Sequence, residues 1–254
     1  MPARIVLGIR RAIGLRPAMG MLGTDVSWPQ CGRHQGFATR PLRPTRFVVV
    51  GLTNGPAFHP NSCLAAQVRW IRSHHVHAAA YAVTSYPSRH ELRRYGDAGP
   101  HSSRWLVGRL RNVGYRQAKF NLATMKRVGL HSDLVWVDVE PSMSRPWTHR
   151  RGLNAAVVQG LVRGYRSSGH RIGFYSTASL WRRIIGRKHF HAPEWRTAGP
   201  TTPRGAIGRC SDPSAAIQGG RAVLAQWWTT RRDHDLLCPG SRRPAQLARF
   251  FHQY

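Results

Sequence analysis

At 254 residues the chain is long enough to bury a sizeable core. Its 41% hydrophobic content, with 25 Gly and 17 Pro, excludes disorder throughout and fits a loop-rich globular domain. Lys plus Arg number 39 against 10 acids, a net charge of +29 that attracts polyanions. The basic residues are scattered and nearly all arginine, the lysines being Lys119, Lys126 and Lys188. No long basic run and no zinc-finger or RNA-recognition signature accompanies them, so nucleic acid is not the expected partner.

Residues 1–21 read as a basic extension, and residues 22–254 as the domain. Apolar runs in the extension are broken by Arg10, Arg11 and Arg16, too short for a standard signal core; Arg10-Arg11 faintly suggests a twin-arginine signal. No stretch of about 20 apolar residues appears anywhere, so no transmembrane segment is expected. The domain opens with a short strand carrying Asp25, with Ser27 on the same face. Phe47 to Leu52 is the next strand, bounded by Thr53-Asn54-Gly55-Pro56. Residues 64–75 have helical spacing, and His74, His75 and His77 after them read as a solvated helix end in preference to a metal site. Ala78 to Val83 is a third strand, with Tyr81 in it. Residues 88–111 are polar and weakly periodic, a long loop or a short irregular insertion. Residues 112–130 are predicted helical, with Tyr115, Ala118, Leu122, Met125 and Val128 as the apolar face.

Leu134-Val135-Trp136-Val137-Asp138-Val139-Glu140 is a buried strand ending in two carboxylates and stopped by Pro141. Alternation puts Trp136, Asp138 and Glu140 on one face and the three valines on the other. Two carboxylates beside a core need partners or do chemistry. A helix follows, with Asn154 as N-cap and Ala156, Val157, Leu161 and Tyr165 on its buried face. Next come a strand from Arg171 to Ser176, a short helix from Thr177 to Ile185, and Glu194-Trp195 as a short strand or loop edge. Residues 199–220 form a loop, Ala222 to Trp228 a last strand, and Ala245 to Phe251 a closing helix.

Strand and helix alternate, which favours parallel strands with crossover helices. Neither a G-x-G-x-x-G nor a G-x-x-x-x-G-K-[ST] motif is present, so a (β/α)-barrel of the TIM type is favoured over a nucleotide-binding sheet. In such barrels the site lies at the C-terminal strand ends. Asp25, Asn54, Tyr81, Asp138, Glu140, Tyr175, Gln226, Asp233 and Asp235 all fall at or just past such ends. Paired carboxylates with aromatics nearby suit glycoside hydrolysis. Glu140 is the candidate acid, its pKa raised by the like charge of Asp138. Trp28, Trp136, Trp147, Trp195, Trp227 and Trp228 are candidate sugar platforms. Cys31, Cys63, Cys210 and Cys238 form no C-x-x-C pair, which argues against zinc. Pairing Cys31 with Cys63 and Cys210 with Cys238 would staple two loops, although four cysteines allow three connectivities. Disulfides would imply an oxidising, exported location. No metal or organic cofactor is indicated.

Thr24-Asp25-Val26-Ser27-Trp28-Pro29-Gln30 resembles the opening D-x-S-x-x-Q of the glycoside hydrolase family 25 lysozymes. Asp138-Val139-Glu140 resembles their central D-x-E, Gly173-Phe174-Tyr175-Ser176 their G-x-Y-[ST] strand, and Gln226-Trp227 with Asp233 or Asp235 their final motif. The opening Asp25-x-Ser27-Trp28-Pro29-Gln30-Cys31-Gly32, with Pro60-Asn61-Ser62-Cys63-Leu64 later in place of an N-P-x-C-L segment, its first two residues inverted, is similar to an actinobacterial lysozyme-like subgroup. The resemblance covers about residues 22 to 240. It implies an α/β-barrel muramidase acting on peptidoglycan. Glu140 would be the general acid and Asp138 and Asp25 orienting or stabilising groups. Gln30, Asn54, Tyr81, Trp136, Tyr175, Gln226, Trp228, Asp233 and Asp235 would line the substrate site. Asn54 departs from the acid often found there. The alternative is a non-catalytic cationic protein of the same fold that binds anionic wall polysaccharide.

Overall fold

The computed structural model describes residues 21–33, 37–41, 45–141, 145–230, 232–241 and 244–254. The basic stretch at 1–20, the loop tip at 142–144 and Arg231 lie outside the described residues.

Eight strands close into a barrel. In chain order they are β1 (Leu22–Val26), β2 (Phe47–Gly51), β3 (His77–Val83), β4 (Leu134–Asp138), β5 (Arg171–Ser176), β6 (Glu194–Pro200), β7 (Ala222–Trp228) and β8 (Asp233–Leu237). Neighbours pair in parallel from β1 through to β7. The closing strand β8 runs antiparallel to both β7 and β1. A ninth short strand, β9 (His252–Gln253), pairs antiparallel with the start of β3. The helices are α1 (Leu64–Ser73), α2 (Arg89–Tyr95), α3 (Leu106–Val128), α4 (Arg151–Arg166), α5 (Ala178–Ile184), α6 (Pro203–Gly208) and α7 (Pro244–Leu247). This mixed α/β barrel is the architecture expected from the alternation of the sequence.

Strand alternation sorts the core into two layers. Val135, Val137 and Val139 pack outward beneath the helices with Val48, Val50, Ala78 and Ala80. Leu134, Trp136, Phe47, Val49 and Leu237 fill the barrel interior. A Cβ on Gly173 would lie 2.4 Å from the Trp136 ring, so this β5 position needs glycine for the indole to lie flat inside the barrel.

Several expectations are corrected. The 88–111 stretch holds α2 and the start of α3. Ser88 and Glu91 make a capping box, the Glu91 N–H donating to Ser88 Oγ and the Ser88 N–H to Glu91 Oε2. The buried face of α3 includes Ala118 and Met125 but also Asn112, Gln117 and Asn121, while Tyr115, Leu122 and Val128 are half-exposed. Polar residues are tolerated there because they find partners: Gln117 donates to the Ser85 carbonyl and Asn121 to the Tyr165 hydroxyl. Asn154 is no cap. It lies buried within α4 and donates to the carbonyls of Thr148 and Ile184. The supposed 199–220 loop contains α6, and Asp233 to Leu237 is a strand where only polar residues and a cysteine were read. His74 and His75 are exposed past α1, whereas His77 begins β3. Disulfides join Cys31 to Cys63 and Cys210 to Cys238. Among the described residues no helix is long and apolar enough to cross a membrane.

Candidate active site

The cleft lies at the C-terminal mouth of the parallel strands. It is a cavity of about 530 Å³, and Asp25, Asp138, Glu140 and Asp233 reach into it from β1, β4, the residues just past β4, and the start of β8. Asp235 lies directly below, fully buried, and accepts a 2.7 Å hydrogen bond from Trp195 Nε1. Five of the chain's ten acids therefore meet at one end of the barrel. None of the described residues lining the cavity is basic. In a chain of +29 that segregation is the electrostatic signature of the site.

With no basic residue among the described lining, these acids resist ionisation. Burial pushes Asp25 up to about 7, helped by the charge of Asp233 and opposed by the hydrogen bond from Gln226. Burial likewise raises Asp138 well above the usual carboxylate range, with the charges of Glu140 and Asp25 adding to it. Asp235 is raised in the same way by burial and then by Asp25. Asp233 is also raised by burial. For Glu140 the expected cause is corrected. Burial raises its pKa first; the hydrogen bond from Asp138 lowers it, and the charge of Asp233 raises it. The like-charge effect falls on Asp138, the deeper partner. The two carboxyls therefore titrate as a pair, both held above the ordinary carboxylate range.

Neutral groups tie the acids into a frame. Tyr175 Oη donates to Gln226 Oε1 at 2.8 Å, and Gln226 Nε2 donates to Asp25 Oδ2 at 2.9 Å. Burial holds the Tyr81 and Tyr175 hydroxyls well above their ordinary range, so both stay neutral donors. Gln30 folds back, its Oε1 accepting the Ser27 N–H at 2.7 Å, and lines the cavity beside Trp28. Trp147 is no loop-tip platform; its Nε1 donates to the Glu140 carbonyl at 2.8 Å and fixes the chain just past β4.

The expected substrate-contacting residues divide. Gln30, Tyr81, Tyr175, Gln226, Trp228 and Asp233 line the cleft. Trp136 does not: it is 0% exposed and forms part of the floor's support, edge-on to Trp195. Asn54 is exposed and outside the lining, where its neighbour Gly55 takes part instead. Asp235 supports from beneath. Of the remaining tryptophans, Trp28 and Trp228 stand open at the rim, and Trp227 is buried outside the barrel wall. Ser27 and Trp195 also line the cavity. Ser27 shares its strand face with Asp25, a signal the alternation already carried.

The family model described as Lysozyme-like protein 1 matches residues 107–195, from α3 through the acidic strand to β6. That match spans about a third of the chain, and over it the chain is similar to a lysozyme-like family. A probable GH family 25 lysozyme 4 from Dictyostelium discoideum is 40% identical over 53 residues, which is 21% of this chain and 24% of that relative. The chain thus covers about a quarter of the curated relative it matches. Among solved structures, a family GH25 lysozyme from Aspergillus fumigatus is 15% identical with a TM-score of 0.58, over 90% of this chain and 98% of that one. The bacterial lysozyme from Streptomyces coelicolor is 16% identical with a TM-score of 0.58, over 92% and 98%. At these identities the structural likeness speaks for the barrel, and the chemistry rests on the cleft described above.

Proposed function

We propose that this chain is a glycoside hydrolase acting on peptidoglycan, cleaving the β-1,4 bond between N-acetylmuramic acid and N-acetylglucosamine. The observation that carries the reading is the meeting of four carboxylates, with the buried Asp235 beneath them, in a cleft lined by no described basic residue. Glycoside hydrolysis needs an acid that still holds a proton near neutral pH and a carboxylate that faces the developing positive charge of the sugar ring. Glu140, half-exposed in the cleft with Asp138 behind it, delivers the pair's proton to the departing sugar oxygen. Asp25 and Asp233 face the ring and stabilise its oxocarbenium-like state, with the substrate's own acetamide as nucleophile. Tyr81, Tyr175 and Gln226 orient the sugar and the acids, and Trp28 and Trp228 at the rim offer flat surfaces to flanking rings. The affinity to an actinobacterial subgroup belongs to the same reading, supported by the Trp28-Pro29-Gln30-Cys31 opening and the bond to Cys63. Export to an oxidising compartment is supported by the two disulfides.

The test is release of reducing sugar ends from purified peptidoglycan, wild type beside Glu140→Gln. Release that falls by about 10²- to 10⁴-fold in the variant, the range of a lost general acid, supports the assignment. A folded wild type that binds walls of several sources without releasing ends would replace the hydrolase with a wall-binding protein on the same barrel.

A further inference from the structure

At the opposite mouth of the barrel, below the first residues of β4, β5 and β7, lies a second concavity of about 570 Å³. Its floor is apolar, formed by Leu134, Ile172 and Phe250, all nearly fully buried. Its rim carries Arg166, Arg171, Arg221 and Arg249, all exposed, together with His170 and His191. No acid lines it. The ion pairs among the described residues engage Arg109, Arg145, Arg196 and Arg209, none of which lies here. The rim arginines instead touch neutral acceptors: Arg171 donates to the Arg249 carbonyl and Arg221, at 3.5 Å, to Gln246.

Four guanidiniums around one concavity repel one another, and no carboxylate among the described residues lining it offsets them. Arg166 stands in the last turn of α4, where a cation suits the helix end. Arg171 begins β5, Arg221 precedes β7 and Arg249 lies two residues past the single turn of α7. Each guanidinium keeps donors in a planar fork that matches the oxygens of a phosphate. The apolar floor beneath suits the carbon skeleton to which that phosphate is esterified. We infer that this pocket binds a phosphate ester, as a small molecule or as the repeating group of an anionic polymer, at the end of the barrel away from the carboxylate cleft. The site stands whether or not the cleft hydrolyses.

The test is calorimetric titration of the full chain with glycerol phosphate and, separately, with a short glycerol-phosphate oligomer. Removing two arginines together, Arg221→Gln with Arg249→Gln, is expected to weaken binding by about tenfold or more, the scale of lost charge-assisted hydrogen bonds. A control with the same change of charge, Arg69→Gln with Arg72→Gln on α1, leaves affinity unchanged. Should the double variant fail to fold, Arg249→Gln alone serves, since its side chain makes no hydrogen bond among the described residues. Tight binding of the monomer identifies a small phosphate ester, and binding of the oligomer alone identifies a polymer. No binding of either, or equal losses in the pocket and control variants, overturns the site and leaves only the field of the whole molecule. Cleavage of a soluble, uncharged oligosaccharide by the pocket variant remains at the wild-type rate, which keeps this test separate from that of the cleft.

Discussion

Glu194 and Asp138 are both buried carboxylates on barrel strands, and their surroundings differ completely. Glu194, 0% exposed, pairs with Arg196 at 2.7 Å and accepts the N–H groups of Ile217, Gln218 and Gly220 at 3.1, 2.8 and 2.9 Å. Among the described residues Asp138, 3% exposed, has no ion-pair partner, and its Oδ1 has no hydrogen-bond partner. One set of partners is closed around its charge; the other is left open toward a cavity. Burial of an acid is therefore no mark of a site by itself. An incomplete set of partners, facing a space large enough for a substrate, is.

The largest effect expected from this contrast is on Glu194. Replacing it by alanine strands Arg196 in the core and costs about 3–5 kcal/mol, read as a lower melting temperature with cleavage per folded molecule unchanged. Glu140→Gln shows the opposite pattern, a lost rate with the fold intact. An equal loss of stability in both would erase the distinction.

Asp25 sharpens it through pH. Its folded pKa, about 7, lies above the unfolded value of 3.8, so the native chain binds more protons between those limits. Stability therefore falls as pH rises through that window, by about 1.4 kcal/mol per pH unit for this group. Asp25→Asn keeps an oxygen for Gln226 and removes the dependence, giving up to about 4 kcal/mol more stability than wild type above pH 7 and little change near pH 4. Denaturant unfolding at both ends of the window measures it; parallel curves for the two proteins would place the titration elsewhere.

The smallest effect concerns the link from Tyr175 through Gln226 to Asp25. The Gln226 hydrogen bond holds the Asp25 pKa down, so Gln226→Leu moves the Asp25-dependent limb of the pH–rate profile to higher pH. The upward direction is the expected outcome, since the variant removes one hydrogen bond to the ionised carboxylate. An unmoved limb would sever the link.

Much of this was legible in the chain because apolar runs and strand alternation survive in the fold. The faces of the acidic strand follow from period-two patterning, the barrel from the alternation of strands with helices, and the gathering of acids at one rim from their positions at strand ends. Trp136 misled for the same reason. Alternation correctly set it on the face of Asp138, but depth along the strand is not encoded in that pattern, and two residues separate the open cleft from the packed interior. Strand β8 escaped because Asp233-His234-Asp235 reads as a polar turn; those acids sit in a strand because the barrel interior here is itself the acidic site. The helix α2 announced itself only through its capping pair, Ser88 and Glu91, which apolar periodicity overlooks. The basic pocket was not legible at all, because its arginines lie up to 83 residues apart and only the barrel's closure brings them together.

The reversed direction of β8 has a consequence for how such a chain can change. Four residues, 229–232, separate β7 from β8; the Thr229 N–H donates to the Arg232 carbonyl at 2.9 Å, and Trp228 and Asp233 on either side line the cleft. No crossover helix has to be dragged along when that connection lengthens or shortens. Insertions there would raise or lower one wall of the cleft while leaving every barrel pairing in register, so reach along a polymer can be retuned without renegotiating the fold.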